Sequence, residues 1–258
     1  IVIALRTKPD GLAPLNAHDL EAPFGPPVLQ LAGRDASRLM ALAEAGMQAR
    51  LVAAGTRGPA VSHSIRAELP GAGPPLVLLT PRTSWWTSTA ERGGGILAWL
   101  AALKALSQVP RARGVVALAT CGHELGHIGA HQAFAAEPEL ATRAPMVIHL
   151  GANLGAAEDE RLTVRSNVPG AAERMAARLD AAGYPAAAIE VATGGKANGE
   201  AHEIEARGGR DLCLIGKNPW FHAPQDRWPL SVDCARAAGD ASAVAAAVPP
   251  FNRRRRLI

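Results

Sequence analysis

Residues 76–119, LVLLTPRTSWWTSTAERGGGILAWLAALKALSQVPRARGVVALA, decide the fold. Leu76 to Thr80 is an unbroken apolar run of strand length. Gly95 to Ser107 then places Ile96, Trp99, Leu100, Leu103 and Leu106 at helical spacing, and Gly114 to Ala119 is apolar again. Strands that are apolar without alternation are covered on both faces, and two of them joined through a helix predict a parallel strand–helix–strand unit. The helix is nearly apolar all round. Working outward, strands are expected at Ile1 to Leu5, Val28 to Leu31, Arg50 to Ala53, Ser64 to Leu69, Met146 to Leu150, Leu162 to Arg165 and Leu212 to Ile215. Helices are expected at Asp35 to Gly46, Ala171 to Ala182 and Val232 to Ala247. This alternation predicts an α/β fold with a largely parallel sheet. Proline and glycine punctuate the first sixty or so residues, and Gly55 to Pro59 reads as a linker-like break, which places a boundary near residue 60.

Composition narrows the class. The chain has 258 residues, 48% hydrophobic and 19% charged, with a mean hydropathy of +0.05. Those values exclude disorder, collagen and coiled coil. No apolar run reaches the roughly 18 residues that cross a bilayer. The net charge of +4 comes from arginine, since lysine occurs only at Lys8, Lys104, Lys196 and Lys217. The one dense basic run, Arg253 to Arg256, reads as a solvated tail rather than a nucleic-acid contact. Cys121, Cys213 and Cys234 form no CxxC pair, so neither a disulfide framework nor a cysteine zinc site is indicated. The sequence opens at Ile1 inside an apolar run, so a signal peptide is expected upstream if there is one.

His123-Glu124-Leu125-Gly126-His127 matches HExxH, in which two histidines one helical turn apart bind zinc and the glutamate is general base. Its context is wrong for that use. A buried strand ends just before Cys121-Gly122, whereas such enzymes carry the motif well inside a long helix, and two glycines weaken any helix here. His131 extends the spacing, but residues eight apart on a helix lie about 12 Å apart along its axis and do not share one ion.

From Ser64 onward the order of segments resembles the zinc aminopeptidase family that includes transferrin-receptor-like and glutaminyl-cyclase-like proteins. Leu76 to Ser84 stands where that family has a strand ending in His-x-Asp-Ser, of which only Ser84 survives. Ala90-Glu91-Arg92-Gly93-Gly94-Gly95 stands where Asp-x-x-Ser-Gly opens a long helix, putting Glu91 at the metal-bridging aspartate. Gly122 to Ala130 resembles Glu-Glu-Leu-Gly-x-x-Gly-Ser, with His123 at the general base and Glu124 at a metal ligand. Gly151 replaces a liganding aspartate, and Phe221-His222-Ala223-Pro224-Gln225-Asp226 resembles the closing His-Thr-Pro-x-Asp, whose histidine is the last ligand.

The resemblance implies a three-layer α/β/α fold about a mostly parallel, mixed sheet over residues 61–258, with residues 1–60 the tail of a protease-associated-like insert. It also implies that Pro81 and Gly151 remove the ligands of one metal, while Glu91, Glu124 and His222 retain donors for one zinc ion. An open fourth position would hold water, and His123 would be its base, with a small peptide or amide as substrate. Trp85, Trp86 and Trp220 would flank the substrate, and His149 would face the same side, although a satisfied core histidine is the plainer reading of that residue. Gly93 to Gly95 are explained by tight packing, and Gly199-Glu200-Ala201-His202 reads as a surface helix start near the relatives' specificity loop. A glutaminyl-cyclase-like acyltransferase would use the same zinc. A metal-free relative kept for binding, with Glu91 and Arg92 in an ion pair, is the rival from another class. The resemblance further suggests a secreted or periplasmic setting.

Overall fold

The structure is a computed structural model and describes residues 2–5, 12–17, 28–52, 54–56, 58–192 and 194–252. Strands β1 (Val2–Leu5) and β2 (Leu29–Ala32) pair in parallel as a sheet of their own, followed by helix α1 (Ala36–Glu44). The main sheet has seven strands: β3 (Ile65–Leu69), β4 (Leu76–Pro81), β5 (Val115–Thr120), β6 (Val147–Leu150), β7 (Leu162–Ser166), β8 (Ile189–Ala192) and β9 (Asp211–Gly216). Their spatial order is β3-β5-β4-β6-β9-β7-β8. The centre, β5-β4-β6-β9, is parallel, and β3 and β7 run antiparallel to β5 and β9, so the sheet is mixed as expected.

Strand alternation divides the core in two. Leu76 and Leu78 of β4 meet Trp99, Ala102 and Leu106 of α2 (Gly94–Ser107) on one face. Val244 of a later helix, Cys234–Ala247, closes the same layer. Val77 and Leu79 point the other way, onto Phe134 of α3 (Ile128–Ala136), Leu140 of α4 (Glu139–Thr142) and Ile204. Helix α5 (Ala171–Ala181) covers the first face with Met175 and Leu179, and α6 (Ala201–Glu205) carries Ile204 on the second; Cys234–Ala247 is α7. Every residue of β4 and β5 is buried, which is why both read as continuous apolar runs.

Three differences from the sequence reading have local causes. Arg50 to Val52 forms no strand; among the described residues nothing pairs with it and Val52 is exposed, while Ala53 lies outside the described residues, as does Ile1. The edge strand β8 and the short helices α3, α4 and α6 give too few periods to stand out from a sequence. Among the described residues no helix is long and apolar enough to cross a membrane.

The glycine run has a packing cause. A Cβ on Gly94 would lie 1.7 Å from the Leu154 carbonyl oxygen, and one on Gly95 2.4 Å from that of Gly151, so α2 presses its first turn directly against the loop after β6. At Gly93 the nearest atom is a Thr89 methyl 3.9 Å away. Gly94→Ala should therefore destabilise by about 2 kcal/mol or more, because backbone would have to move. Gly93→Ala, at helical φ, should be stabilising by about 0.5–1 kcal/mol. Urea unfolding of the two variants measures both.

Candidate functional site

The parallel strands β4, β5, β6 and β9 deliver their carboxyl ends to one end of the sheet, where open α/β sheets hold their ligands. Thr83 follows β4, His123 and Glu124 follow β5, Gly151 follows β6, and the loop carrying His222 and Asp226 follows β9. Between β4 and α2 the chain makes one π-helical turn, Thr89–Gly93, an irregularity common at functional sites. Asp226 fixes this turn. Its two carboxylate oxygens accept from Ala90 N at 2.8 Å and Glu91 N at 2.9 Å, so the buried carboxylate ties the last loop to the first residues of the turn.

Glu91 is fully buried. Its neighbour Arg92 turns inward as well, with Nη2 2.8 Å from Glu91 Oε1 and 3.0 Å from Glu124 Oε1. The Arg92 Nε donates to the Thr83 carbonyl. Thr83 Oγ1 donates to Glu124 Oε2 at 2.7 Å and accepts from His123 N at 3.3 Å. Glu124 is thus satisfied at both oxygens, whereas neither Glu91 oxygen receives a well-aligned hydrogen bond despite the nearby guanidinium. His222 Nε2 is also without a hydrogen-bond partner, 3.5 Å from Glu91 Oε1. Since His222 Nδ1 donates to the Pro14 carbonyl at 2.7 Å, Nε2 presents a lone pair. Burial raises the Glu91 pKa against the pull of Arg92, and burial lowers that of His222 despite the Pro14 carbonyl.

Beside this cluster lies a second one. Glu200, fully buried, sits between two imidazoles: Oε1 is 2.8 Å from His123 Nδ1 and Oε2 is 3.2 Å from His149 Nε2. His149 and Cys213 are register partners on β6 and β9, and His149 Nδ1 lies 3.0 Å from Cys213 Sγ. Burial pushes the Glu200 pKa up, but the two imidazoles reverse this and hold it well below the ordinary carboxylate range. Burial alone would strip His149 of its proton, yet the Cys213 sulfur and the Glu200 carboxylate lift it from 6.5 to about 10. An ionised Glu200 only accepts, so His123 donates from Nδ1 and keeps Nε2 as its free lone pair.

The aromatic side chains take separate positions. Trp86 Nε1 donates to the His222 carbonyl at 3.0 Å and Trp85 Nε1 to Asn16 Oδ1 at 2.9 Å, both indoles being exposed. Trp220 is tied instead to Glu158 Oε1 at 3.0 Å. Residues 12–17 cross the same end of the sheet, where Pro14 holds His222 and Ala17 N donates to the Glu124 carbonyl at 2.8 Å. The HExxH residues are a turn rather than a helix. Gly122, Gly126 and His127 have φ of 68°, 79° and 55°, and α3 begins only after them. His127 faces Glu203 at 3.5 Å, and burial lowers its pKa.

The structure thus brings Glu91, Glu124, His222 and His123 to one place, pairs Arg92 with Glu91 as the rival reading expected, and adds Thr83, Asp226 and Glu200. Glu200 does begin a helix, but as a buried residue and not a surface one; only its position beside Gly199, whose φ of 59° turns the chain inward, carries a sequence signal. As arranged, Glu91, Glu124 and His222 do not make a zinc site. A guanidinium already occupies the cation position between the carboxylates, and Glu124 is spent on Arg92 and Thr83. A side chain at Gly151 would meet Ile215 at 2.8 Å. Among the described residues no group of His, Cys, Asp and Glu is arranged to hold a metal ion.

The fold is that of the zinc aminopeptidases. Among solved structures, the zinc aminopeptidase BSAP from Bacillus subtilis superposes with a TM-score of 0.63 at 17% identity over 76% of this chain and 51% of its own. The aminopeptidase from Aneurinibacillus sp. strain AM-1 gives 0.65 at 15% over 90% and 58%. The peptidase M28 precursor from Shewanella amazonensis SB2B gives 0.65 at 17% over 98% and 60%. This chain therefore spans 51–60% of the length of those relatives. No family model and no curated protein sequence matches.

The raised His149 pKa makes a stability prediction. Folding favours the imidazolium, so its contribution is complete below the ordinary 6.5 and is lost as pH rises through about 10. Stability measured by urea unfolding should fall over that interval. In Glu200→Gln the fall should move to lower pH, and at pH 7 the variant should be less stable by about 3 kcal/mol, because one buried charge loses its partner.

Proposed function

We propose that this chain is a metal-free derivative of the zinc-aminopeptidase fold that keeps its cleft for binding a small peptide or amide, with Arg92 standing in for the lost cation. The observation that carries this reading is the buried guanidinium within 3.0 Å of both Glu91 and Glu124. A guanidinium supplies the charge that two buried carboxylates require, and it never deprotonates. It does not activate water. Its Nε donates to the Thr83 carbonyl and its Nη2 to Glu124, so these N–H groups are engaged and do not polarise a substrate carbonyl.

What the cleft retains is recognition chemistry. His123, oriented by Glu200, presents an acceptor at Nε2 when its ring is neutral, for which an ammonium or amide N–H is the complementary group. Trp85 and Trp86 give exposed aromatic surface beside it, suited to a peptide side chain. The likeness to aminopeptidases supports a peptide or amide as ligand, and the match to a peptidase precursor supports an exported protein; reading residues 1–60 as a protease-associated-like insert rests on the sequence resemblance.

Elemental analysis after incubation with zinc tests the reading. Wild type should carry no stoichiometric zinc, and zinc should leave its melting temperature unchanged. Arg92→Ala should lose stability by about 3–5 kcal/mol without metal. It should regain it with zinc, and this rescue should vanish when His222→Ala is added. About one zinc per wild-type chain, lost in His222→Ala, would overturn the reading and restore a single-zinc peptidase-like hydrolase or a glutaminyl-cyclase-like acyltransferase.

A further inference from the structure

At the opposite end of the sheet, where the parallel strands begin, lies a cavity of about 970 Å³. Gly73, Arg113, Met146 and Arg210 stand just before β4, β5, β6 and β9 and line it from below, and α5 lines its side. Arg174 and Arg178 are four residues apart on α5, so one face of that helix turns both toward the cavity. Among the described residues no aspartate or glutamate lines it.

The charge here is uncompensated. Among the described residues Arg66, Arg92, Arg161, Arg165, Arg207 and Arg236 all have carboxylate partners within ion-pair distance. Arg113, Arg174, Arg178 and Arg210, which all line the cavity, have none among those residues. Guanidiniums gathered without counter-charge repel one another, and a multivalent anion relieves this while offering each a two-pronged acceptor, the geometry in which arginine binds phosphate best. The remaining wall is apolar, with Met146, Val168 and Phe251, and Arg178 lies 5.7 Å from the Phe251 ring centroid. The volume exceeds what a single phosphate needs and matches a ligand of nucleotide size.

We propose that this cavity is a binding site for a small organic polyphosphate of nucleotide size, its phosphates held by Arg113, Arg174, Arg178 and Arg210 and its flat apolar part against Phe251. The site is separate from the cleft at the other end of the sheet and does not depend on how that cleft is read.

Calorimetric titration of the whole chain with ADP, inorganic pyrophosphate and adenosine at low and physiological salt tests it. ADP should bind, pyrophosphate should bind more weakly, adenosine should not bind, and added salt should weaken both anions. Arg174→Ala with Arg210→Ala should reduce affinity for both at least about tenfold. Arg161→Ala, an arginine outside the cavity, should change neither. Both cavity residues are exposed, so the double variant should fold, as melting by circular dichroism will show; if it does not, Arg174→Gln and Arg210→Gln singly carry the test. Absence of heat with both anions, undiminished binding in the cavity variants, or equal weakening in Arg161→Ala would overturn the proposal. Pyrophosphate binding as tightly as ADP would overturn the assignment of Phe251 to the ligand's apolar part.

Discussion

The guanidinium of Arg92 is the charge around which this end of the molecule is organised. Two glutamates, Glu91 and Glu124, come from different loops and are both buried. Two carboxylates so placed would each be expelled from the interior or take up a proton unless a cation joined them. Arg92 does so while also holding the Thr83 carbonyl, so the ends of β4 and β5 and the start of α2 are locked through one planar group. The arrangement is costly to dissolve, since removing any member leaves the others buried and unpaired.

Asp226 performs the complementary mechanical task. The loop after β9 is more than a hundred residues from the turn at Thr89–Gly93, yet its carboxylate satisfies the backbone N–H groups of Ala90 and Glu91, donors that the start of a helix leaves without partners. His222 is thereby placed against Glu91 by backbone hydrogen bonds rather than by a shared ion. The glycines that follow let α2 lie directly on the loop after β6, which fixes the turn from behind. The site's geometry is therefore largely a property of main-chain packing.

That separation explains what was legible in the sequence. The central strands were readable because β4 and β5 are buried throughout and so lack polar interruptions, and α2 because its apolar positions recur at helical spacing. Edge elements such as β8 were not, since four half-buried residues carry no period. Within the site, residues named from a chain pattern, Glu91, Glu124, His123 and His222, do converge. Arg92 was visible as a candidate partner of Glu91, but that it bridges two carboxylates depends on Glu124 arriving from 32 positions away. Glu200 was missed for a related reason. A glutamate at the start of a short helix looks solvated, and only the tertiary placement of His123 and His149, each from a different strand end, makes it a buried anion.

The two clusters divide the work that a metal centre would otherwise combine. A metal ion attracts carboxylates, orients histidines and acidifies water at once. Here the first role belongs to Arg92 and the second to Glu200, which sets the tautomer of His123 from one side and holds the charged His149 against Cys213 on the other. On the proposed reading the third is not performed by Arg92, because a guanidinium is a permanent cation that does not acidify water. On the metal-free reading proposed above, the fold keeps the hydrogen-bonding directions of a hydrolytic site while losing the source of its nucleophile. On that reading, recognition of an amine or amide needs only what is kept, an acceptor on His123 held in place by Glu200.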